Sequence, residues 1–134
     1  MDFYCPRAWG YAEDCLFICH NMNAAIWHDG TGHETAKTVL RRCTFTGDEG
    51  FRLGRFHRDA QFYLIDCKFP KEMADAPIYK VRKDTVLKWE TRVRFYGCHR
   101  DGGDFGWFGD NILKGEADKL DLLRVFEGRW EPRF

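Results

Sequence analysis

The chain lacks net charge: 21 Lys and Arg balance 21 Asp and Glu over 134 residues. That balance removes the bulk electrostatic attraction on which nucleic-acid and anionic-membrane binders depend, so neither partner is expected. Long apolar runs are also missing. The longest, counting cysteine, covers residues 15–19, far short of the roughly 20 residues that span a bilayer. The opening Met-Asp-Phe-Tyr-Cys-Pro-Arg has no basic segment followed by an apolar one, so no secretory leader is expected here. No Asn-x-Ser/Thr acceptor occurs. Aromatic residues, by contrast, make up 16% of the chain, too many for a disordered tail. With 44% hydrophobic residues and a mean hydropathy of −0.54, the composition is that of a soluble globular domain, or a piece of one.

Six cysteines stand out: Cys5, Cys15, Cys19, Cys43, Cys67 and Cys98. Structural zinc sites use two close pairs, and here only Cys15 and Cys19, with His20 beside them, are close. No metal site is therefore expected. A disulfide framework is possible, but a chain with this much apolar mass does not need one.

The neighbours of each cysteine favour a third reading. Tyr11-Ala-Glu-Asp-Cys15-Leu-Phe17, Val39-Leu-Arg-Arg-Cys43-Thr-Phe45, Tyr63-Leu-Ile-Asp-Cys67-Lys-Phe69 and Phe95-Tyr-Gly-Cys98-His-Arg100 look alike, and the first three share Cys-x-Phe. The cysteines recur at intervals of 28, 24 and 31 residues. Val39, Arg41, Cys43 and Phe45 alternate with Leu40, Arg42, Thr44 and Thr46, a strand period. One short strand per unit at this spacing marks an all-β solenoid, a parallel β-helix of about five coils with cysteines stacked inside as small hydrophobes. Gly47, Gly50, Gly54, Gly97, Gly102 and Gly103 are expected at coil corners. Strands are expected at 24–27, 38–40, 61–65, 78–81, 86–89 and 92–96. Leu113, Ala117, Leu120 and Leu123 predict a helical tail from about residue 112, stopped by Gly128. The competing reading is a compact α+β domain with accidental cysteine spacing.

The runs Ala24-Ala-Ile-Trp27, Lys37-Thr-Val-Leu-Arg-Arg-Cys43-Thr-Phe-Thr-Gly47-Asp-Glu-Gly-Phe51 and Ala60-Gln-Phe-Tyr-Leu-Ile-Asp-Cys67-Lys-Phe69 together resemble the central coils of pectinesterases, over roughly residues 8–80. The resemblance implies a right-handed parallel β-helix that hydrolyses galacturonate methyl esters in pectin without a cofactor. It implies a carboxylate nucleophile, a second carboxylate as acid and base, amides at the oxyanion and an arginine holding the nucleophile.

Carried over by position, the nucleophile falls on Asp75 and an oxyanion amide on Asn23. Glu49 takes the second glutamine's place and Gly50 the acid/base aspartate's. Glu49 is then the candidate acid/base or oxyanion group. Arg82 and Arg92 are alternative orienting residues. Trp27, His28, Arg52, Arg55, His57 and Trp107 are candidates to contact the polysaccharide. The resemblance further implies a monomeric fragment of a secreted or periplasmic parent, since Phe3-Tyr-Cys5-Pro begins like a strand in mid-coil. The rival functions are a non-catalytic polysaccharide-binding module and a small zinc domain.

Two further features bear on the site. Residues 47–59 concentrate Asp48, Glu49, Arg52, Arg55, His57, Arg58 and Asp59, either a carboxylate-binding cluster or a solvated loop of weak ion pairs. His57-Arg58-Asp59 recurs as His99-Arg100-Asp101, which suggests coil repetition. A kinase catalytic loop needs Asn five residues after the Asp, where Leu64 and Gly106 stand. Asp104 and Asp110, around Trp107 and Phe108, form a second carboxylate pair.

Overall fold

A computed structural model describes residues 3–5, 9–20, 24–28, 35–57, 61–81 and 92–126. They form twelve strands: β1 (Phe3–Cys5), β2 (Gly10–Glu13), β3 (Leu16–Cys19), β4 (Ala24–His28), β5 (Thr38–Arg41), β6 (Thr44–Gly47), β7 (Arg52–Phe56), β8 (Gln61–Ile65), β9 (Lys68–Phe69), β10 (Tyr79–Lys80), β11 (Arg92–Tyr96) and β12 (His99–Arg100). Each strand pairs in parallel with the third strand after it. The chain thus visits three four-stranded parallel sheets in rotation: β1-β4-β7-β10 (sheet A), β2-β5-β8-β11 (sheet B) and β3-β6-β9-β12 (sheet C). The protein is all-β with almost no helix. The expected strand at 86–89 lies outside the described residues.

The cysteine repeat is the connection from sheet B to sheet C. In every round it is two residues long: one with positive φ, then a cysteine. The first positions are Asp14, Arg42, Asp66 and Gly97, with φ between 50° and 62°. Cys43, Cys67 and Cys98 are buried and free. Each thiol donates toward a carbonyl of the preceding round, Cys43 to Ala12 O at 3.5 Å, Cys67 to Leu40 O at 3.5 Å and Cys98 to Leu64 O at 3.3 Å. Cys15, in the first round, is exposed and donates to Glu13 O.

The left-handed residue also resets side-chain phase. Strand alternation put Val39, Arg41, Cys43 and Phe45 on one face, but the positive φ at Arg42 breaks it. Cys43 and Phe45 join Leu40 in the core cluster shared by the sheets, and Val39 lies on the other face of β5 in a second cluster. That second cluster is why Val39 is as buried as Leu40. Ile112, Ala117 and Val125 of the C-terminal segment pack on Val39 and Ile65.

The phenylalanines of Cys-x-Phe stack through the core. Phe17, Phe45 and Phe69 follow one another at 4.9 and 5.0 Å between ring centroids, which is the spacing of adjacent strands. The fourth round has Arg100 where the others have Phe, in register with Phe69. Phe108 fills the vacated position from the glycine-rich loop, 5.2 Å from Phe69 and 4% exposed. Arg100 turns outward, donates to Lys71 O and Gly103 O, and stacks on Phe105 at 4.3 Å.

Several expectations are corrected. The tail is not one helix but two single turns, α1 (Lys114–Ala117) and α2 (Leu122–Val125). Asp121 separates them: its backbone is extended and its carboxylate accepts Arg124 N–H at 2.8 Å, an N-cap that starts a new turn. Gly128 lies outside the described residues. Gly54 is not a corner but sits inside β7, where a Cβ would meet Ile26 at 2.7 Å and Ile78 at 3.1 Å. Gly47 has ordinary φ; its Cβ would stand 2.3 Å from Cys19 O. His57 follows β7 of sheet A while His99 and Arg100 form β12 of sheet C, so the two histidines stand at different places in the round; Arg58 and Asp59 lie outside the described residues.

Candidate functional site

Residues 52–56, whose charge suggested a solvated loop, form β7 in the interior of sheet A. Its apolar Leu53 and Phe56 join the core while Arg52 stays exposed and Arg55 half-buried; the two apolar residues are three apart, so the segment lacks the two-residue alternation that marks a strand in sequence. The register sets Trp27, Arg55 and Tyr79 side by side across β4, β7 and β10. The Arg55 guanidinium lies over the Trp27 ring at 4.4 Å. His57 meets the same indole edge-on at 5.0 Å. Arg52 stands 5.3 Å from the Tyr79 ring. Four of the six proposed contact residues, Trp27, Arg52, Arg55 and His57, therefore converge on one sheet. Tyr79 joins them, a residue to which sequence reasoning gave no role. His28 also belongs to β4, beside Phe56; its side chain lies outside the described residues.

The two candidate carboxylates come from connections between sheet C and sheet A. These connections stack on one another: Gly50 N–H donates to Glu72 O at 2.8 Å and Ala74 N–H to Phe51 O at 2.9 Å. Glu49 and Asp75 both lie exposed on this corner. Asp75 Oδ1 accepts a hydrogen bond from Trp107 Nε1–H at 2.8 Å. Trp107 is held in place by its neighbours, Phe108 in the core stack and Phe105 under Arg100. His99 Nδ1 pairs with Asp104 Oδ2 at 2.9 Å, and Arg100 N–H bonds Asp104 Oδ1. These two contacts hold the Asp104 carboxyl below the ordinary carboxylate range. Asp110 accepts Gly97 N–H, so Asp104 and Asp110 secure loop ends rather than face each other.

Other assignments fare differently. Asn23 and Arg82 lie outside the described residues. Arg92 opens β11 of sheet B, next to Gln61, and not on the corner that carries Asp75; the donor found at Asp75 is Trp107. Gly50 has φ +84°, a backbone conformation that favours glycine. Among the described residues, no group of three or more His, Cys, Asp and Glu side chains is placed to hold a metal ion. None of their helices is long and apolar enough to cross a membrane.

The arrangement presents flat rings and guanidinium groups along sheet A, suited to sugar faces and carboxylates. The connection that leads into β10 carries an oriented carboxylate, Asp75, whose second oxygen remains open among the described residues. No protein-family model, no curated protein and no solved structure matches the chain.

Proposed function

We propose that the three sheets close into a right-handed parallel β-helix, part of a secreted or periplasmic protein. On this reading it binds a galacturonate polysaccharide along sheet A and hydrolyses its methyl esters. The observation that carries the reading is the Asp75–Trp107 hydrogen bond at 2.8 Å together with the Trp27–Arg55–Tyr79 row. In the reaction, an Asp75 oxygen attacks the ester carbonyl. The bond to the methoxy group breaks, and methanol leaves with a proton from the Glu49 carboxylic acid. Water then gives one proton to Glu49 and attacks the galacturonyl carbonyl of the acyl-Asp75, which releases free Asp75 carboxylate and a galacturonic acid whose remaining proton passes to solvent. Trp107 orients the nucleophile, the role the pectinesterase resemblance gave to an arginine.

A second reading, polysaccharide binding without hydrolysis, is favoured by one observation. Gly50 occupies the acid/base position, and its φ of +84° suits glycine. Methanol release from methyl-esterified polygalacturonate decides between them. Hydrolysis predicts release that Asp75→Asn abolishes; binding alone predicts retention of the polymer with no methanol.

A further inference from the structure

A cleft of about 520 Å³ opens between the outer face of sheet B and the C-terminal segment. Its lining includes Tyr63, Arg94, Asn111, Leu113, Glu116 and Lys119. That volume lies within the range of small-ligand sites. Tyr63 and Arg94 are neighbours across β8 and β11, so a ring and a guanidinium stand one strand spacing apart. Arg94 is half-buried, and among the described residues its side chain makes no hydrogen bond or ion pair. A partly desolvated cation without a partner is costly, and a bound anion relieves that cost. Among the described residues, Glu116 and Lys119 in the same wall also carry unpaired side chains, so the lining charge is two cations against one carboxylate. Asn111 spends its side-chain oxygen on Phe95 N–H, which leaves the amide NH₂ to donate. Leu113, 76% exposed, forms an apolar rim.

The geometry points to a binding site for a short uronate saccharide. Its carboxylate pairs with the Arg94 fork, its ring lies against Tyr63, and its hydroxyls donate to Glu116 and accept from Asn111 and Lys119. The site lies on sheet B, away from Asp75; the choice of a uronate as its ligand rests on the proposed function.

Calorimetric titration with digalacturonate, its dimethyl ester and inorganic phosphate tests it. The free acid should bind at least about tenfold more tightly than the ester, the discrimination expected of one charge-assisted pair. Arg94→Gln should remove that preference and Arg94→Lys retain part of it. Leu113→Glu, at an exposed position, adds a repelling charge without touching the core and should weaken the acid selectively. The titrations use the Asp75→Asn variant, so that the dimethyl ester is not hydrolysed during the measurement. Equal affinity for acid and ester, phosphate binding as tight as the saccharide, or full binding by a folded Arg94→Gln variant would overturn the assignment.

Discussion

Asp14, Arg42, Asp66 and Gly97 share one backbone conformation, yet only one of them is glycine. Gly97 is where a side chain is least welcome: its φ is +62° and a Cβ would stand 2.3 Å from Asp66 Oδ1. Asp66 is exposed and able to swing aside, so Gly97→Ala should cost about 1–2 kcal/mol, set by the left-handed backbone. Gly47→Ala has ordinary φ, but its Cβ meets a backbone carbonyl that cannot yield. It should cost as much or more, within the overpacking range of about 1–3 kcal/mol. Denaturant midpoints measure both, and a neutral Gly47→Ala would contradict the register of β3 and β6. The thiols give a second residue-scale prediction. Of the five cysteines with described side chains, Cys15 alone is exposed. An alkylating reagent should label Cys15 in the folded protein and Cys19, Cys43, Cys67 and Cys98 only after unfolding, as peptide masses would show. Neighbouring thiols and burial push Cys67 far above its ordinary 9.0, so the folded chain keeps this proton where the unfolded chain loses it. Cys67 removes stability above pH 9, where only the unfolded chain ionises. Cys67→Ala should flatten the alkaline fall in the pH–stability curve.

The strands of sheet C owe their order to the phenylalanine stack. Phe45 lies between Phe17 and Phe69 and is 2% exposed, so Phe45→Ala should cost about 3–5 kcal/mol in equilibrium unfolding. The C-terminal segment depends on different contacts. Arg41 donates through Nη2 to Ala117 O and Leu120 O, which ties the end of α1 and the residues after it to β5. Arg41→Ala should speed amide exchange across residues 112–126 and leave β8 protected. The elements also show what sequence disclosed. Cys-x-Phe exposed β6, β9 and the sheet C stack because chemically identical residues recur at one structural position. β7 stayed hidden because Arg52 and Arg55 read as charge rather than as the outer face of a strand. The fourth phenylalanine was illegible because Phe108 arrives from a loop eight residues beyond its expected place. The phase error at Val39 came from a left-handed arginine, which no residue preference announces.

At the scale of the molecule, the three sheets carry different surfaces. Sheet A bears the arginine–aromatic row and the Asp75 corner, sheet B is partly covered by the C-terminal segment, and sheet C outlines an open cleft of about 630 Å³ with Thr44, Thr46, Lys68 and His99. Sequence located Asp75, Trp107 and the sheet A cations individually. Their convergence was not legible, because it depends on which connections stack, and backbone hydrogen bonds such as Gly50 N–H to Glu72 O decide that. The central claim is that this corner hydrolyses methyl esters. The most direct measurement is methanol released from methyl-esterified polygalacturonate by the purified chain, with Asp75→Asn and Glu49→Gln in parallel. The account predicts release by the wild type, none by Asp75→Asn, and a loss of about 10²–10⁴ for Glu49→Gln. Release that persists unchanged in Asp75→Asn, or its absence from a folded wild type that binds the polymer, would contradict it.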